Sequence, residues 1–289
     1  MCHEGALTEL PAPLPQWYVL SKKDVQFFCH LAVKLIVLRF FYVNVTALAQ
    51  NVLTFFTKGY KILNMIKENL ERIFSEISCG NNFGEKITLV GAVKTQPAEL
   101  INEALRCGLT DIGDNKAQEL RDNAPLITEK VIKHFFGRIQ SNKLKYIVGK
   151  VELIQSVDTL SLAREISEKS KKMGITSKIL LELNSANEQS KGGFSKQELI
   201  NNINEIYSLD NIEVKGIMAV APISEDNNYL ARLFDDIRSL YDELKTDYPD
   251  FTTLSMGMSG DYKTAIKHGS NMIRLGTSIF GKRNYGDKL

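Results

Sequence analysis

From residue 65 onward the chain alternates short apolar runs with amphipathic stretches, and this alternation limits the fold more than any other feature. The runs are rich in Ile, Leu and Val, as buried strands are. Strands are expected at 87–93, 109–112, 131–136, 152–155, 178–183, 213–219, 253–254 and 272–275. Helices are expected at 97–107, 115–122, 142–148, 159–173, 195–207, 226–244 and 261–268. A further amphipathic helix leads in from Met65, with Ile66, Leu70, Ile73, Phe74 and Ile77 on one stripe. Eight strand–helix units in about 225 residues is the arithmetic of a (β/α)8 barrel. A doubly wound open sheet is the competitor, but no Gly-rich dinucleotide fingerprint follows the first strand. The runs at 109–112, 152–155 and 253–254 are the weakest of the eight.

Residues 1–64 do not share the alternation. They hold Trp17, the only tryptophan, and three of the seven prolines. The apolar stretch 31–56 is interrupted by Lys34, Arg39, Asn44, Gln50 and Asn51. A membrane span wants about twenty predominantly apolar residues, and central charges are costly in it. A cleaved signal peptide fits poorly, because the apolar region starts late and runs too long. Lys22, Lys23, Lys34 and Arg39 outnumber the nearby acids, as they do in some targeting segments. The expectation is an extension (1–64) outside the core fold, ahead of a single barrel (65–289), with Met65 a candidate start of the functional chain.

The formal charge of +2 offers no clustered basic face for nucleic acid. Cys2, Cys29, Cys79 and Cys107 form no CxxC pair and no ladder of spacings, which fits a reducing compartment. A cytoplasmic protein is expected, or a mitochondrial one if residues 1–64 direct it there.

In such a barrel the chemistry sits at the carboxyl ends of the strands. Lys94 lies there, in ITLVGAVKTQP (87–97). Desolvation at the mouth of a buried strand would lower its pKa and favour the neutral amine. Schiff-base chemistry with an aldehyde requires that form. The bland alternative is a solvated lysine just past a strand end.

SMGMSG (255–260) brings Ser255, Ser259 and two glycines to the seventh strand end, and Gly276, Thr277 and Ser278 follow the eighth. Barrels often bind phosphate between these two loops. Small residues let backbone N–H groups approach an anion, and a helix N-terminus adds a favourable dipole. Two ordinary polar loops are the alternative. Arg274, near the end of a buried strand, implies either a carboxylate partner or a ligand. An amine, a phosphate pocket and an arginine together point to pyridoxal 5′-phosphate (PLP). Arg274 against the ring nitrogen would keep that nitrogen unprotonated and weaken the cofactor as an electron sink. His134, inside VIKHFF, reads as a satisfied core histidine, and His268 as a helix C-terminal dipole partner. SKGGFS (190–195) reads as a loop with a helix cap at Ser195.

Across 65–289 the stretches AVKTQP, GDNKAQEL, HFFGRIQSNK, IQSVD, QSKGGF, GIMAVAP, LSMGMSGDYKTAI and IRLGTSIFGKR carry a pattern. It resembles the pyridoxal phosphate homeostasis protein family, of the alanine racemase N-terminal-domain type. The resemblance implies a (β/α)8 barrel that holds PLP as a Schiff base on Lys94. It implies phosphate contacts at Ser259, Gly276 and Thr277, ring-nitrogen contact at Arg274 and a neighbouring polar contact at Asn115. Met218, in MAVAP, and Ser255 complete the expected cofactor-binding set. The chain departs from the family at Val93, where a small hydroxyl residue is usual, and at Gly113-Asp114-Asn115, where GEN is usual.

Alanine racemases add a β-domain that supplies a catalytic tyrosine, and this sequence stops at Leu289. The resemblance therefore implies a monomeric PLP carrier and regulator of vitamin B6 and amino-acid pools, without strong catalysis, with apo PLP-dependent enzymes as acceptors and no membrane partner. Two alternatives stand beside it: a PLP-dependent racemase-like enzyme acting through Lys94, and a phosphosugar-binding barrel whose lysine forms a Schiff base without PLP.

Overall fold

All eight apolar runs form strands, and each strand pairs in parallel with the next until the last meets the first. The computed structural model describes residues 45–186 and 192–282, with backbone alone for 45–58. The strands are β1 (Thr88–Ala92), β2 (Asp111–Asp114), β3 (Ile132–Phe135), β4 (Leu153–Val157), β5 (Ser177–Leu183), β6 (Ile212–Ala219), β7 (Thr253–Met258) and β8 (Met272–Leu275). The helices are α1 (Val45–Ile77), α2 (Ala98–Arg106), α3 (Ala117–Asn123), α4 (Leu160–Met173), α5 (Lys196–Tyr207), α6 (Asn227–Asp247), α7 (Tyr262–Lys267) and α8 (Thr277–Phe280). The barrel closes where β1 pairs with β8, with Val90 opposite Arg274. Among the described residues no helix is long and apolar enough to cross a membrane.

Parallel strands covered on both faces read as nearly continuous apolar runs, which is why the strands stood out. Side chains alternate between the two faces. Outward residues such as Phe135, Ile154, Ile179, Leu181, Ile217 and Leu254 pack with Ile166, Leu199, Phe234 and Ile237 of the surrounding helices. Inward, Val90, Leu153, Leu180, Met218 and Met272 form a second, smaller cluster, with Phe136 against it. Burying each such side chain contributes about 1.5–3 kcal/mol.

Helix ends follow side-chain chemistry. Thr159 accepts the Leu162 amide at the start of α4, and Gly174 ends that helix in the left-handed region at φ 65°. Ser195 and Glu198 form a reciprocal capping box on α5, and Asp226 caps α6 through the amides of Asn228 and Tyr229.

Several elements differ from the sequence reading. The lead-in helix begins at Val45 rather than Met65. Residues 45–64 contain no proline, and the single Gly59 costs only about 1 kcal/mol, so nothing stops the helix at Met65. Four residues of its predicted stripe, Ile66, Leu70, Ile73 and Ile77, are buried, and the fifth, Phe74, is half-buried. The stretch after β3 forms a 3₁₀ helix, Ser141–Tyr146, in place of the expected α-helix. β2 starts two residues later than read and runs on through Gly113 and Asp114, both buried, so the strand continues past the end of the apolar run. β7 runs through SMGM to Met258, where two residues were expected.

The chain divides after Leu63, and the eight strands belong to the unit Asn64–Leu289. Trp17, the prolines near it, the first part of the 31–56 stretch, Ser190, Lys191 and Arg283 lie outside the described residues.

Candidate functional site

Lys94 follows β1 by two residues and is half-buried at the carboxyl mouth of the barrel. The next residue, Thr95, holds φ at 62°, a conformation that is uncommon for a residue with a side chain, and its amide donates to Glu119 Oε2 at 2.9 Å. This bond fixes the turn that carries Lys94. Across the β1–β8 seam, Gly276 lies against Ala92. A Cβ at Gly276 would stand 3.4 Å from the Ala92 carbonyl oxygen and 3.6 Å from its Cβ.

Ser259 joins the two loops expected to hold phosphate. Its Oγ accepts the amides of Gly276 and Ser278, each at 3.2 Å. Thr277 begins the short α8 and is exposed. The β7 end approaches α7 closely at Gly257, where φ is 98° and a Cβ would lie 2.8 Å from that of Ala265. Asp261 then pins the loop by accepting the Met258 amide at 2.5 Å.

Arg274 is 4% exposed. Its Nη1 donates to Ser255 O at 2.9 Å and to Ser255 Oγ at 2.5 Å, and its Nη2 donates to Ala219 O at 2.8 Å. These three acceptors are neutral. Burial lowers its pKa to about 10, against the pull of the Glu182 and Asp261 carboxylates, so it remains a cation near neutral pH. Ser255 is fully buried within β7, so its hydroxyl serves Arg274 and not the phosphate loop as the sequence reading had it. Met218, opposite Ser255 in register, is also fully buried.

Asn115 leaves β2 half-buried, and its Oδ1 is buried without a hydrogen-bond partner. Gly137 packs on its backbone so tightly that a Cβ there would lie 1.9 Å from the Asn115 carbonyl oxygen. Asp114, 2% exposed, likewise has an unpartnered Oδ1. Burial pushes its carboxyl up to about 7; Glu119 adds to this and Lys133 opposes it.

A group of charged residues absent from the sequence expectation includes Arg138, Asp158 and Glu182. Burial, with Asp158 nearby, pushes Glu182 up to about 7, while Arg274 and Arg138 act in the opposite sense. Burial also raises Asp158, opposed by its own backbone amide and by Arg138. The signal for Glu182 was present: an acid inside the apolar run KILLEL, at an inward position of β5. His134 is the satisfied core histidine expected, bonded to Asp111 and Gln155. His268, at the α7 C-terminus, bonds Asp235 Oδ1 at 2.6 Å.

The family model of the alanine racemase N-terminal domain matches residues 64–284. The pyridoxal phosphate homeostasis protein of Aquifex aeolicus is 36% identical over 225 residues, covering 77% of this chain and 97% of its own. That of Escherichia coli is 34% identical over 239 residues, covering 78% and 100%. Among solved structures, PipY of Synechococcus elongatus with PLP bound is 28% identical at a TM-score of 0.67, covering 75% of this chain and 100% of PipY. An alanine racemase of Clostridium difficile shares the fold at 16% identity and a TM-score of 0.61, covering 78% of this chain and 58% of the racemase.

Proposed function

Because the chain belongs to the pyridoxal phosphate homeostasis protein family, built on the alanine racemase N-terminal domain, we propose that it binds PLP at the carboxyl end of its barrel. Its role is then the intracellular homeostasis of that cofactor and of amino acids, as a cytoplasmic monomer that passes PLP to apoenzymes. The observation that carries this reading is Arg274: a buried cation bonded only to neutral oxygens, on the strand that flanks the one leading to Lys94.

The residues present fit the cofactor. Asn115 Oδ1 is buried and unpartnered, as a ligand contact would be before its ligand arrives. Lys94 has no ion pair or hydrogen bond among the described residues. When bound, PLP supplies an aldehyde that a primary amine can capture and a ring that can draw electrons from a neighbouring carbon. Lys94 is the amine that attaches it covalently. Ser259, Gly276 and Thr277 hold its phosphate, and Asn115 adds a polar contact. Ser255 holds Arg274 in place, and Met218 lies beside Ser255 in register on β6. Arg274 stays protonated beside the ring nitrogen and gives it no proton, which leaves the ring a weak electron sink. Arg274 supports the reading of a carrier with little or no turnover, although alanine racemases tolerate such an arginine.

Spectroscopy tests this. Wild-type protein mixed with PLP should gain a visible absorption band, and borohydride followed by peptide mapping should place the adduct on Lys94. An adduct on another lysine, or no band, overturns the reading. A racemase-like activity is the second reading, favoured by Glu182, whose carboxyl near 7 can hold or release a proton at neutral pH. Loaded protein incubated with amino acids in deuterated water decides between them. Exchange at the α-carbon at about one turnover per second or faster selects the enzyme.

A further inference from the structure

We infer that Asp111, His134 and Gln155 are positioning residues for Arg274, acting by fixing the direction of one hydrogen-bonded chain across the barrel interior. The inference rests on the cofactor reading only for the binding half of its test.

Five side chains on five strands form the chain. Asp111 on β2 and His134 on β3 meet at 3.0 Å, Oδ1 to Nε2. Gln155 on β4 places its amide nitrogen 3.0 Å from His134 Nδ1. Ser255 on β7 donates to Gln155 Oε1 at 2.7 Å, and Arg274 on β8 donates to Ser255 Oγ at 2.5 Å. All five are buried.

The direction follows from which atoms can donate. A carboxylate accepts, and Asp111 does so at both oxygens, the second taking the Thr110 hydroxyl at 2.6 Å. His134 Nε2 is then the donor to Asp111, and Nδ1 faces the Gln155 amide as the acceptor. Gln155 then turns its NH₂ toward Nδ1, an orientation that also gives that nitrogen the Met272 sulfur at 3.3 Å. Its carbonyl faces Ser255, whose hydroxyl donates to it and keeps a lone pair for Arg274. Were Gln155 turned round, Ser255 would meet two donors, from Gln155 and Arg274, and its own proton would lose its acceptor. A carboxylate on β2 thus sets how the guanidinium on β8 is held.

Gln155→Met and Gln155→Glu test this. Methionine breaks the chain at nearly constant volume. Glutamate still accepts from Ser255, and it accepts a proton on His134 Nδ1 as well. Cofactor-free protein labelled with ¹⁵N-arginine reports the exchange of the Arg274 guanidinium protons, assigned by their absence in Arg274→Lys. Exchange should be at least tenfold faster in Gln155→Met and within threefold of wild type in Gln155→Glu. PLP affinity, by absorbance titration, should fall at least tenfold in the first and stay within threefold in the second. Unchanged exchange in Gln155→Met, or equal loss in both variants, overturns the inference, because Gln155 would then merely fill space. The wild-type His134 ring supplies a readout that needs no variant. Its ¹⁵N shifts should show protonated Nε2 and bare Nδ1 at neutral pH, and the opposite tautomer overturns the inference. If wild type takes up no PLP, the cofactor reading fails, while the exchange and ring measurements still decide this one.

Discussion

The Gly276 amide donates to Ser259 Oγ at 3.2 Å, and this bond ties the loop after β8 to the loop after β7. The Ser278 amide reaches the same oxygen, so one hydroxyl organises two backbone N–H groups where phosphate is expected. Ser259→Ala removes that centre. A charge-assisted hydrogen bond is worth about 1.5–3 kcal/mol, so PLP should bind about ten- to a hundredfold more weakly. Pyridoxal, which lacks the phosphate, should bind the variant as it binds wild type. Equal losses for both ligands in a titration would show that the hydroxyl supports the loop and not the anion.

Lys94→Ala should abolish covalent attachment and leave the fold intact. The side chain is half-buried, and among the described residues it makes no ion pair or hydrogen bond whose loss would be felt. The thermal midpoint should move by no more than a few degrees, the equivalent of under about 1 kcal/mol. After borohydride, mass spectrometry should find no phosphopyridoxyl adduct. A stoichiometric adduct in this variant would reassign the attachment site.

Asp114 makes stability depend on pH in a direction opposite to that of a salt-bridged carboxylate. Folded, it keeps its proton up to about 7, whereas its ordinary value is 3.8. Between those values the folded state binds more protons than the unfolded one, so stability falls as pH rises. The loss is complete above about pH 7 and amounts to at most about 4 kcal/mol. Asp114→Asn cannot ionise, so its urea midpoint should gain on wild type from pH 4 to pH 8. A difference between the two proteins that stays flat over that range would remove Asp114 from the account.

A chain beginning at Met65 should fold and bind PLP as the full sequence does. The buried face of α1 described above, Ile66, Leu70, Ile73 and Ile77, lies after that point, as does Asn69, whose side-chain amide donates to Ile279 O at 3.0 Å. Circular dichroism melting and PLP titration of the shortened chain check this. A midpoint lower by more than about 10 °C would place part of the preceding segment in the stable unit.

The repeating architecture was legible because each strand is covered on both faces and so reads as an apolar run. The positions of Lys94, Ser259 and Arg274 were legible because the first two follow strand ends and Arg274 is a charge inside an apolar strand. β7 was cut short for a physical reason: Ser255 and Gly257 look like loop residues, yet one hydroxyl is satisfied by Arg274 and Gln155, and the glycine supplies φ 98° for the approach of α7. Asp111, His134 and Gln155 could not be joined from sequence, since their meeting depends on strand register. Glu182 could have been found, since an acid inside the apolar run KILLEL marks a buried charge. The start of α1 was missed because a change in composition near Met65 was read as a structural boundary.

The pairing of β1 with β8 has a consequence for how the protein is made. Lys94 is synthesised well before Arg274, and their strands become neighbours only when the barrel seam closes. Pairing between such distant segments carries the largest loop-closure cost and comes late in folding. A nascent chain on the ribosome thus exposes Lys94 long before the opposing half of its pocket exists. The cofactor can stabilise the finished barrel, but it cannot serve as a template for the early strands.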